Sequence, residues 1–146
     1  MNKKLGFGLM RLPSLDPNDP SKIDIEQVKK MVDLFLEKGF TYFDTAWMYC
    51  GFKSEEATKE ALVDRHPRDS FTLATKLHAG FLKTKEDRDR IFNEQLRKTG
   101  AGYFDYYATW CFDNLLVGKR SGAADSGNDG SETKPYTASD VLGGIT

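Results

Sequence analysis

Three β-rich runs begin near Phe40, Phe71 and Tyr103, about 30 residues apart, with one helical pattern between each pair. The runs FTYFDTA (40–46), FTLATKL (71–77) and YFDYYAT (103–109) are β-branched and aromatic, as strands prefer. Ahead of the first, Asp24 is placed to cap a helix whose N3 position carries Gln27. Val28, Met31, Val32, Phe35 and Leu36 follow at helical spacing, and Gly39 is placed as its stop. A second helix opens at Ser54 in SEEATKEALVD, with acids in its first turn. In the third, Thr84 caps KEDRDRIFNEQLRK, Ile91, Phe92 and Leu96 form a narrow apolar stripe, and Gly100 ends it. A short apolar run at Leu5–Leu12, ended by Pro13, supplies a further strand.

Strands alternating with helices at this spacing predict parallel strands joined by crossover helices, an α/β fold. A doubly wound sheet and a (β/α)8 TIM barrel both satisfy the pattern. A full barrel takes about 250 residues, so the 146 residues here correspond to roughly half of one.

The hydrophobic share of 39%, the aromatic share of 12% and both charge signs in quantity describe a globular chain with one real core. A net charge of −1 gives no global field to attract nucleic acid or an anionic membrane. The opening MNKKLGFGLM has too short an apolar run for a signal peptide, because Arg11 interrupts it, and no run has the length of a membrane span. Cys50 and Cys111 form neither a CxxC motif nor a metal-type cluster, which leads us to expect a reducing, cytoplasmic setting and no metal.

In parallel α/β folds the chemistry gathers at the C-terminal ends of the strands. Asp44 falls near the end of the second strand, Tyr49 in the loop after it, and Lys76 at the close of the third. A tyrosine is protonated at neutral pH and can donate its proton. A neighbouring ammonium stabilises the phenolate left behind and lowers the phenol's pKa, while a carboxylate keeps the ammonium charged and in place. Such a trio suits protonation of a carbonyl oxygen while hydride arrives at carbon. Taken singly, each residue has an ordinary role: Asp as cap or turn former, Lys as solvated charge, Tyr as packing.

The phrase GFTYFDTAWMYCGFKSEEATKEAL binds them together, and it resembles the aldo-keto reductase signature. The corresponding residues are Gly39, Phe40, Phe43-Asp44-Thr45-Ala46, Tyr49, and either Glu55 or Glu56 in the following helix. The likeness continues in ATKL, with Lys76 at the family's catalytic lysine, in the opening strand LGFGLMRLP, and in YFDYY at the start of the fourth strand. It covers about residues 5–107 and favours the barrel: a partial (β/α)8 TIM barrel of about four parallel strands with three crossover helices.

The resemblance implies NADPH-dependent reduction of a small aldehyde or ketone, usually without a metal. Tyr49 is then the general acid, Lys76 and Asp44 its tuning pair, and Asp44, Met10 and Arg11 lie toward the cofactor or substrate. The family's fourth catalytic residue is a His after two apolar residues at the end of the fourth strand, a slot that Trp110 occupies here. An indole N–H donates one hydrogen bond but neither accepts nor titrates. His78, two residues past Lys76, is expected to be a rim histidine. The iron–sulfur cluster of some relatives has no counterpart in two cysteines.

From Val117 the composition shifts, with six of the 13 glycines and four serines in the last 30 residues. We therefore expect a barrel domain over 1–116 and a low-complexity, disordered tail over 117–146. Most of the family's contacts to the cofactor's pyrophosphate and adenosine come from the second half of its barrel. The alternative expectation is accordingly a non-catalytic fragment, truncated or frameshifted after Tyr107. The open edges of a four-stranded sheet also lead us to expect self-association.

Overall fold

The computed structural model describes residues 4–110, the last two by their backbone alone. The low-complexity stretch expected at 117–146, and Cys111, lie outside the described residues. Within them, β1 (Gly6–Gly8), β2 (Tyr42–Asp44), β3 (Thr72–His78) and β4 (Tyr106–Trp110) form one parallel sheet in chain order. Gly8 pairs with Asp44, Asp44 with Ala74, and Lys76 with Ala108, so the strands' C-terminal ends lie together. Trp110 closes β4 opposite His78.

Three crossovers connect the strands, as the spacing predicts. Helix α1 (Ile25–Glu37) starts at Asp24, whose carboxylate accepts the backbone N–H of Gln27. After β2 comes a four-residue turn, α2 (Tyr49–Phe52), where the sequence predicts a loop. Then α3 (Ser54–Thr58) runs into a π-helical turn at Lys59–Val63 rather than continuing as one α-helix. Thr58 Oγ1 donates back to the Ser54 carbonyl, a bond that bends helices. Helix α4 (Lys85–Thr99) has the full capping box of Thr84 with Asp87, and Gly100 ends it at φ 63°, where a side chain would be strained.

The strands are shorter than their sequence runs suggest: Leu5–Leu12 contributes three residues and so does Phe40–Ala46. Slanted parallel bonds nevertheless extend past the formal ends, from Leu9 N to the Asp44 carbonyl, Thr45 N to Ala74 and Trp47 N to Lys76. The apolar residues beyond the strands are therefore strand-adjacent loop. Lys76 is correspondingly not the last residue of β3, which runs on to His78.

Alternation gives the sheet two faces. Phe7, Phe43, Leu73 and Tyr107 point toward the helices, into a core with Val28, Val32, Phe35, Leu62, Phe92 and Phe104. Phe7, Phe35 and Phe43 meet with ring centroids 5.1–5.5 Å apart, and Phe92 meets Tyr107 edge-on at 4.9 Å. The opposite face carries Gly6, Gly8, Tyr42, Asp44, Ala74, Lys76 and Tyr106. Tyr42 and Tyr106 meet across it at 5.9 Å over the intervening β3, as on the inward-curving face of a barrel wall. That concave face corresponds to the inside of a barrel wall.

Candidate active site

Asp44 ends β2 and Lys76 lies two residues from the end of β3, both on the concave face. The Lys76 ammonium donates to Asp44 Oδ1, and to the Thr45 carbonyl at 3.2 Å. It lies 5.1 Å from the centre of the Tyr49 ring. The three residues expected to act together are thus brought together, with both members of the ion pair partly shielded from solvent.

The backbone that presents Tyr49 is unusual. Cys50, Gly51 and Phe52 have φ of 51°, 59° and 68°, three left-handed residues in succession. For the two that are not glycine this conformation costs about 1–2 kcal/mol each. The surroundings hold it: the Cys50 thiol points at the Leu9 and Met10 carbonyls, and Ser54 Oγ donates to the Leu9 carbonyl at 2.8 Å. Ser54 Oγ also meets Thr45 Oγ1 at 2.8 Å, which ties the loop after β2 to the start of α3. The same bonds bring the exit of β1 beside the Tyr49 turn. Met10 and Arg11 are exposed there, at the rim where the family resemblance puts them.

Protonation differs from the sequence expectation. Burial pushes the Lys76 ammonium below its ordinary 10.5 and the Tyr49 phenol above its ordinary 10.0. The sequence predicts a lysine-lowered phenol beside a lysine kept charged by a carboxylate; the phenol shifts the other way, and desolvation sets both directions. The geometry gives the reason for Tyr49: the ammonium lies against its ring, and its hydrogen bonds go to Asp44 and Thr45.

His78 is at the rim, as expected, where its Nδ1 accepts from Gly80 N at 2.9 Å and its ring meets Phe81. Phe81, Phe52 and Trp47 form an edge-to-face series with centroids 5.8 and 6.0 Å apart. They belong to the loops that follow β2 and β3. The side chain of Trp110 lies outside the described residues.

Sequence reasoning missed the support behind Lys76. Glu55, one of two candidates for the signature acid, is 1% exposed, whereas Glu56 is a surface partner of Lys53. Glu55 Oε1 accepts from Thr75 Oγ1 and from Gln95 Nε2, each at 2.8 Å. Gln95 Nε2 also lies 3.1 Å from the Lys76 carbonyl, and Tyr107 donates to Gln95 Oε1 at 2.8 Å. The available signal was Gln95 itself, an amide in the middle of the apolar stripe of α4, four residues from Ile91 and three from Phe92.

Among the described residues there is no group of three or more His, Cys, Asp or Glu side chains that could hold a metal ion. Nor is any helix among them long and apolar enough to cross a membrane.

Solved structures similar to this one include several aldo-keto reductases. One from Klebsiella pneumoniae, solved in complex with NADPH, is 25% identical and superposes with a TM-score of 0.58 over 76% of this chain and 36% of its own. One from Brucella melitensis is 27% identical, with a TM-score of 0.50 over 70% of this chain and 34% of its own. The holo form of one from Bacillus halodurans is 21% identical and shares the fold, with a TM-score of 0.57 over 79% of this chain and 48% of its own. The chain thus spans between about a third and a half of the length of these relatives. No curated protein sequence matches it. The model of the aldo/keto reductase family matches residues 4–117, so the likeness runs past Tyr107, where the sequence reading had it stop. On that match, together with the parallel sheet and the strand-end trio, the chain belongs to the aldo/keto reductase family.

Proposed function

We propose that this chain contributes the acid-catalytic side of an NADPH-dependent oxidoreductase that reduces a small aldehyde or ketone. The observation that carries the proposal is the Lys76 ammonium held between Asp44 and the ring of Tyr49 at the C-terminal end of the concave face. Tyr49 keeps its proton throughout the neutral range and donates it to the carbonyl oxygen. The resulting phenolate is stabilised by Lys76, and Asp44 fixes the ammonium for that task. A raised phenol pKa makes Tyr49 a weaker acid, so stabilisation of the phenolate by Lys76 matters more.

The cofactor's reacting end fits this surface. Gly8 pairs with Asp44, and a Cβ built on Gly8 would meet nothing within 4 Å, which leaves open space beside the trio for a flat ring. Asp44 and the exposed Met10 and Arg11 are the residues that would hold it, Arg11 offering a cation to a phosphate. When bound, NADPH supplies the hydride.

The test is the loss of NADPH absorbance with a simple aldehyde. The reading predicts turnover by the purified chain. Absence of turnover under conditions where a full-length relative works would contradict it.

A further inference from the structure

The strongest unexplained feature behind the site is the carboxyl group of Glu55. It lies in α3, 1% exposed, with Oε1 accepting two hydrogen bonds and Oε2 buried without a partner. A charged carboxylate with one bare oxygen at that depth is costlier than a neutral acid, which leaves one polar atom unsatisfied but buries no charge. The charge of Lys98 favours the carboxylate but is outweighed by burial, and its ammonium is engaged elsewhere. Lys98 on α4 donates to the Phe52 carbonyl at 2.6 Å and lies over the Trp47 ring at 4.8 Å. Glu94 on the same helix acts in the opposite sense to Lys98, and burial raises the Glu55 pKa above its ordinary value.

The acid's two donors lead to the catalytic strand. Thr75 is the residue before Lys76, with its hydroxyl on the helix side of β3. Gln95 has two N–H groups for three acceptors, namely Glu55 Oε1, Thr75 Oγ1 at 3.1 Å and the Lys76 carbonyl at 3.1 Å. One N–H therefore goes to Lys76, and the other is shared between Glu55 and Thr75. Tyr107 on β4 fixes the amide's orientation by donating to its oxygen.

We propose that Glu55 is a positioning residue for Lys76: as a neutral acid it fixes Thr75 and Gln95, and Gln95 fixes the Lys76 backbone from behind the sheet. The proposal rests on the reading that Lys76 belongs to the active site. The network holds the strand on the helix side while Asp44 holds the ammonium on the concave side, with Tyr49 packed against it. Loosening the rear grip frees Lys76 to swing into water.

The experiment is an NMR titration of the Lys76 ammonium in the full chain and its variants, a readout that requires no turnover. Glu55→Leu and Gln95→Leu are expected to raise the Lys76 midpoint toward 10.5, by about half a pH unit or more. Glu55→Gln, which mimics the neutral acid and keeps the acceptor, is expected to leave it within about 0.2 units. Val32→Ala, a core truncation on α1, controls for general loosening and should not move it. Should Glu55→Leu fail to fold, Gln95→Leu and Thr75→Val carry the test. An unmoved midpoint in the folded network variants, an equal shift in Val32→Ala, or an equal shift in Glu55→Gln would overturn the assignment. Missing turnover with the titration pattern intact would instead count against the oxidoreductase reading alone.

Discussion

At the scale of single residues, burial governs the charges around this site. Glu55 shows the consequence for stability. Its folded-state pKa lies above the unfolded value, so below the ordinary 4.5 both states hold the proton and its hydrogen bonds count in full. As pH rises through 4.5 the unfolded chain releases its proton while the folded chain keeps it, and stability falls until the folded pKa is passed. Glu55→Gln removes that dependence. Urea unfolding should show the variant gaining on the unmutated chain between pH 4.5 and pH 7.5; a constant difference would show that Glu55 folds as an ordinary carboxylate. The trio of Asp44, Tyr49 and Lys76 was legible in the sequence because the signature phrase fixes Asp44 and Tyr49 and the ATKL motif at the next strand fixes Lys76. The directions of the Tyr49 and Lys76 pKa values were not, because desolvation depends on how deeply neighbouring elements cover a group.

At the scale of elements, caps and periodicity were readable and strand limits were not. Asp24, Thr84 and Gly100 act where the sequence puts them, since each bond is made within a few residues. The left-handed turn at Cys50–Phe52 was invisible because two of its residues adopt that conformation only under tertiary constraint. Arg68 is another long-range device. Its guanidinium donates to the Ala101, Phe71 and Tyr103 carbonyls and to Asp105, whose same oxygen accepts Leu73 N at 2.7 Å. It also stacks over the Tyr103 ring at 3.7 Å. This one side chain locks the entries of β3 and β4 together. A lysine cannot reproduce the planar fork, so Arg68→Lys should cost about 1.5–3 kcal/mol in chemical denaturation. A change below about 0.5 kcal/mol would remove Arg68 from that role.

At the scale of the whole molecule, four parallel strands in chain order, helices on one face and a polar trio at the strand ends make a section of barrel wall. Among the described residues β1 has a strand neighbour on one side only, and Leu5 and Met10 at its two ends are more than half exposed. An open edge of this kind pairs readily with another strand, and we propose a second copy of the chain as its occupant. Sedimentation velocity should show association that grows with concentration; a monomer at every concentration would contradict it. The central claim is that Tyr49 delivers the proton. The measurement that tests it most directly is NADPH consumption with a simple aldehyde by the chain and its Tyr49→Phe variant, side by side. The account predicts a fall of about 100-fold or more in turnover with NADPH affinity retained, because the ring stays and only the proton donor is lost. Turnover within threefold of the unmutated chain would contradict it.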